Sequence, residues 1–186
     1  MHQRRPSQPR VQPVEAALEA ARERMKGSPA NAVNVSATLA ASPVVAKIVG
    51  GSAGRVMTKS NTVPRLREIV ILRMGWNCQS VYEFGQHTLF GRSVGLSDGE
   101  IYNLTRPLAV GGWPAADAAL IQMTDDLHAD DCVSDATWAD LGQHFEPALV
   151  LEYVAAALSY RLVSGLLNTC GVQLDEGVPG WPTPPH

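Results

Sequence analysis

Aromatic residues make up only 6% of this 186-residue chain, and cysteine occurs just three times, at Cys78, Cys132 and Cys170. The three thiols lie far apart in sequence, so they offer neither a disulfide framework nor the paired spacing of a structural zinc site. A reducing, cytoplasmic setting suits that usage. Excess positive charge is also missing: 15 Lys and Arg stand against 18 Asp and Glu, a formal net charge of −3. The strongly basic face of a nucleic-acid binder is therefore not expected. No segment shows the apolar–polar alternation of a half-buried strand, which leaves an all-α class. The longest apolar stretch, PALVLEYVAAALSYRLVSGLL from Pro147 to Leu167, is interrupted by Glu152 and Arg161. A bilayer-spanning helix needs about twenty mostly apolar residues, so this one reads as a buried core or interface helix, with no membrane partner.

What is present is helical punctuation in a chain that is 45% apolar. The opening MHQRRPSQPRVQP is basic, lacks the apolar centre of a secretory signal, and reads as a disordered arm over residues 1–12. Val14, Leu18, Ala21 and Met25 form one helical stripe after Pro13, closed by Gly27 and Pro29. Val33 to Met57 is small and apolar, with Pro43 starting a second segment. Pro64 starts the next helix, in which Leu66, Ile69, Val70 and Arg73 share a face, and which weakens at Gly75. WNCQSVYEFGQH, Trp76 to His87, then carries a new helix to about Arg92, with Gly95 as a left-handed cap. Ser97 and Glu100 have capping-box spacing. Further helices follow over Pro114 to His128, after Ser134, and from Pro147 to Gly171. The Pro-rich 176–186 reads as a flexible tail, leaving one all-α domain over residues 13–175.

On an unbroken helix, Ser80, Glu83 and His87 fall at i, i+3 and i+7, beside an apolar face of Val81, Phe84 and Thr88. A carboxyl group there is expected to have a raised pKa from desolvation, letting Glu83 act as an acid with His87 exchanging its proton. The ordinary alternative is a surface pair one helical turn apart, and Cys78 is equally readable as a small buried hydrophobe. Trp76 is placed to wall a pocket. DDLHADD, Asp125 to Asp131, matches no zinc or calcium spacing and reads as a solvated face. Cys132 and Cys170 read as packing residues, and AKIVGGSAGRVMTK has neither the strand nor the glycine spacing of a nucleotide loop.

The segment LREIVILRMGWNCQSVYEFGQHTLFGRSVGLSDGEI, Leu66 to Ile101, resembles the carboxymuconolactone decarboxylase family, an all-α superfamily that also contains the alkylhydroperoxidase D proteins. The similarity continues through TDDLHADDCVSDATWADL and NTCGVQLD. In the peroxidase branch a glutamate precedes a C-x-x-C pair and a histidine; here Glu68 and His87 match the outer positions, while Ser80 and Glu83 stand where the two cysteines would be. The resemblance therefore implies a member without the redox pair, unless Cys132 or Cys170 acts as a distant resolving thiol. It is similar to the decarboxylase branch in carrying a glutamate and a histidine one turn apart. What this implies is a cofactor-independent acid/base enzyme acting on a small carboxylated or lactone-like substrate. Glu83 would be the acid, His87 its partner and Glu68 a second carboxylate, with Ser80 and Tyr82 orienting substrate oxygen. The resemblance also implies a homo-oligomer, a trimer or hexamer. Two alternatives remain: a thiol-dependent hydroperoxide reductase using Cys78, and a non-catalytic member of the fold with Glu83 and His87 open to solvent.

Overall fold

A computed structural model describes residues 5–184; the first four residues of the expected arm and the last two of the expected tail lie outside the described residues. The described residues contain helices and no strand: α1 Glu15–Met25, α2 Val33–Leu39, α3 Pro43–Lys59, α4 Pro64–Asn77, α5 Val81–Ser93, α6 Asp98–Asn103, α7 Ala115–Asp130, α8 Asp135–Leu141 and α9 Pro147–Cys170, with a short 3-10 turn at Leu108–Val110. Most boundaries have a local cause. Proline occupies the first turn of α3, α4 and α9, where its missing N–H would have had no helical partner. Gly95 and Gly171 sit at φ 97° and 69° behind α5 and α9, left-handed positions that glycine enters without steric penalty. Ser97 and Glu100 form the reciprocal capping box of α6.

Helix α4 is the centre of the bundle and packs against α5, α7 and α9. Its residues are buried without a break from Arg67 to Gly75, on all faces, whereas the sequence pattern predicts one buried stripe. A helix apolar all round belongs in the interior. The charge that enters with it is compensated at Arg73, which donates to both carboxylate oxygens of Asp125 at 2.7 Å and to the carbonyls of Leu104 and Arg106. The acidic run at Asp125 thus anchors α4: Asp125 holds Arg73 and Asn77, and Asp126 accepts from the Ser134 N–H. Helix α9 has the length and apolarity to cross a membrane. Its inner residues Val150, Tyr153, Ala156, Ala157, Val163 and Leu167 nevertheless belong to the main core cluster.

The helix expected to run through WNCQSVYEFGQH is interrupted. Helix α4 continues past Gly75 to Asn77, Gln79 turns left-handed at φ 51°, and α5 begins at Val81 with Ser80 as its N-cap residue. The reason is a tight turn in which the Ser80 N–H donates to the Gly75 carbonyl and Gln79 to that of Trp76. The terminal segments close over this turn. Arg5 donates to the carbonyls of Cys78 and Gln79, and the Arg10 N–H donates to Cys170. At the other end, the residues expected to be a flexible tail lie along α5: Val178 is buried, and the Trp181 ring is 5.2 Å from those of Trp76 and Phe84. Gly85 makes this approach possible, since a Cβ there would stand 2.2 Å from the Pro179 carbonyl oxygen.

Candidate active site

Helix α5 carries Glu83 and His87 one turn apart on its inner side, and α4 delivers Glu68 from across the helix pair. All three are buried; Glu68 is fully enclosed, Glu83 4% exposed and His87 5%. The His87 Nδ1 lies 2.6 Å from Glu68 Oε2, and its Nε2 lies 3.0 Å from Glu83 Oε1. One imidazole therefore has a carboxylate at each nitrogen. Burial alone favours the neutral ring, but the two carboxylates more than reverse this and raise His87 to about 10 from an ordinary 6.5. At neutral pH both ring nitrogens carry protons, and the resting proton of the site belongs to His87 rather than to Glu83, where desolvation reasoning from sequence placed it.

Two further residues enclose this relay. The Tyr160 ring of α9 stands edge-on to the imidazole, with centroids 4.7 Å apart and planes at 81°. Its phenol is pushed well above its ordinary value by burial, then by Glu83 and Glu68, so it stays protonated. Arg67, beside Glu68 on α4, places Nε 3.5 Å from Glu68 Oε1. Neither residue stands out in the periodicity of its helix. A charged pair at 67–68 in an otherwise apolar helix, and a tyrosine on the inner stripe of α9, are the available signals.

Ser80 occupies another position than the one expected of it. It caps α5 only through its backbone, because its side chain makes no capping bond and the Oγ is buried without a partner. Ser80 and Glu83 nonetheless have the spacing of a capping box, the arrangement that Ser97 and Glu100 complete. At α5 the glutamate that would close the box is turned to His87 instead. This is a local rule broken where the side chain has other work, a signal present in the sequence.

The remaining expected residues are placed apart from the relay. The Tyr82 hydroxyl donates to Asp175 at 2.5 Å and accepts from the Val35 N–H, so it ties α5 to α2 and to the C-terminal segment. Trp76 does wall a cavity, of about 380 Å3, with Gln79, Tyr102, Thr105, Arg106, Trp181 and Pro182. Glu68, Glu83 and His87 are not among its lining residues. The Cys78 thiol lies 3.7 Å from the Met74 sulfur, and burial pushes it up, against the opposing pull of Arg161 and Arg5. A thiol so placed is a weaker nucleophile at neutral pH. Cys78, Cys132 and Cys170 are all unbridged.

No protein-family model and no curated protein sequence matches the chain. Among solved structures it is similar to a protein of unknown function from Agrobacterium tumefaciens, at a TM-score of 0.69 and 19% identity over 74% of this chain and 94% of that one. It is similar to an uncharacterized peroxidase-related protein with an alkylhydroperoxidase AhpD core from Ralstonia eutropha, at 0.74 and 16% over 89% and 90%. The debrominase Bmp8 in complex with 2,3,4-tribromopyrrole is similar at 0.74 and 9% over 91% and 94%. At such identities the likeness is one of fold, and the fold is the all-α alkylhydroperoxidase D-like one.

Proposed function

We propose that this chain is a proton-transfer enzyme in which Glu68, His87 and Glu83 form a relay acting on a small carboxylated or lactone-like substrate. The observation that carries this reading is the buried imidazole with a carboxylate 2.6 Å from one nitrogen and another 3.0 Å from the other. Perturbed, enclosed titratable groups of this kind are what acid/base catalysis requires.

The chemistry follows from the order of the three groups. Passing the Nε2 proton to Glu83 leaves a neutral ring whose Nδ1–H is still held by Glu68. Glu83 then delivers that proton to a substrate carbon. In a decarboxylation, the carbon–carboxyl bond breaks, CO₂ leaves, and the electron pair enters the substrate's own conjugated system, so no cofactor is needed at that step. Reprotonation of the carbon consumes the proton, and solvent restores it to the relay. Run as an isomerisation, the same groups take a proton from one carbon and return it to another. Binding of tribromopyrrole by Bmp8 supports a small ring as the kind of molecule this fold accepts.

With a panel of small carboxylated lactones, Glu83→Gln is expected to lower turnover by roughly 10²- to 10⁴-fold while circular dichroism is unchanged. Wild-type turnover in that variant would reject the relay. A second reading, thiol-dependent peroxide reduction through Cys78, draws on the peroxidase-related description of the Ralstonia protein. Burial of the thiol weighs against it. Peroxide consumption that disappears in Cys78→Ser, with Glu83→Gln unaffected, would reverse the order of the two readings.

A further inference from the structure

The relay leaves one buried charge unexplained. Arg67 is 8% exposed, yet its Nε is enclosed with no hydrogen-bond acceptor, and its other N–H groups find none among the described residues. Its one ion pair, to Glu68 Oε1 at 3.5 Å, is too long and misdirected to be a hydrogen bond, and that oxygen is likewise without a hydrogen-bond partner. The contrast with Arg73 on the same helix is direct: Arg73 is equally buried and makes four hydrogen bonds of 2.7 Å. A structural arginine in this core is thus saturated, and Arg67 is not. Burying a guanidinium without acceptors is strongly unfavourable unless something else accepts.

Position narrows what that acceptor is. Arg67 sits one residue from Glu68, so an anion on its fork lies next to the proton relay. Tyr160, which faces His87, makes no hydrogen bond through its hydroxyl to any described residue, and it is near enough for the guanidinium charge to act on it. A planar fork of N–H donors with a phenol O–H beside it matches a carboxylate, which accepts two parallel bonds from guanidinium and leaves lone pairs for a further donor. Charge permits this too. Arg67 and His87 offset Glu68 and Glu83, so a monoanion raises the cluster by a single negative charge, whereas a dianion would meet two carboxylates with no cation to spare.

We infer that Arg67, with Tyr160, is the binding site for the carboxylate of the substrate, holding it against the Glu68–His87–Glu83 relay. The word substrate rests on the proton-transfer reading; binding of the carboxylate does not. Acetate titrated into the full chain at constant ionic strength, with chloride as control, should shift the His87 ring resonances saturably in ¹⁵N-histidine NMR. Arg67→Met should weaken that response about tenfold or more while leaving Tm unchanged or higher, and Arg67→Lys should retain a weakened response, since a lysine keeps the charge and loses the fork. Glu83→Gln should still bind acetate, so failure of the catalytic reading leaves this readout intact. No saturable response in wild type, a wild-type response in Arg67→Met, or a large loss of Tm in Arg67→Met would each overturn the assignment.

Discussion

At the residue scale, the energetics of His87 are tied to its two carboxylates. Removing it leaves Glu68 and Glu83 buried with no cation between them, and breaking such an enclosed pair is strongly destabilising. His87→Ala is therefore expected to lose about 3 kcal/mol near pH 6 in urea denaturation. Because the folded-state value is raised, this contribution is complete below the ordinary 6.5 and fades as pH rises to about 10, so the gap between wild type and variant should narrow over that window. A gap independent of pH would show that the ring is held neutral. Turnover should fall on the alkaline side as pH passes about 10, where His87 gives up the proton that the reaction draws on; a pH–rate profile flat through that range would contradict the assignment of the resting proton. Glu83 and His87 are legible from their spacing alone. Glu68 is legible only through the family resemblance, because nothing local reports that α4 turns that face to α5.

At the scale of the element, two serines of identical motif separate capping from its absence. Ser97 donates and accepts as a capping residue should, and Ser97→Ala is expected to cost about 1 kcal/mol. Ser80 stands at the same position of α5 with its hydroxyl unpartnered, so Ser80→Ala should be near neutral by the same urea measurement. Equal losses would show that Ser80 caps α5 in solution and that Glu83 spends its time away from His87. The break between α4 and α5 explains why the sequence reading ran one helix through it. Cys78, Gln79 and Ser80 include neither glycine nor proline, and the left-handed Gln79 is held by backbone bonds to Gly75 and Trp76 and clamped by Arg5 from the start of the chain. The starts of α3, α4 and α9 are read correctly because proline and its immediate neighbours decide them.

At the scale of the whole molecule, the outer faces of two packed helices carry exposed apolar side chains: Leu151, Leu158 and Leu162 on α9, with Val44 and Ile48 on α3. The expected outcome is self-association through this face, measured by light scattering on an eluting column, with Leu158→Glu plus Leu162→Glu shifting the protein to a monomer. A wild-type monomer at micromolar concentration would contradict it. The amino-acid sequence by itself determined the all-α class, most helix boundaries and the Glu83–His87 pair, since these depend on backbone restrictions and spacings within a few residues. Only the tertiary structure decided that Glu68 closes on the far nitrogen of His87, that Arg67 enters the core without an acceptor while Arg73 enters with four, and that both ends of the chain lie over the α4–α5 pair. Each of these depends on which buried groups from distant segments meet, and burial sets both the charge of His87 and the worth of every contact it makes.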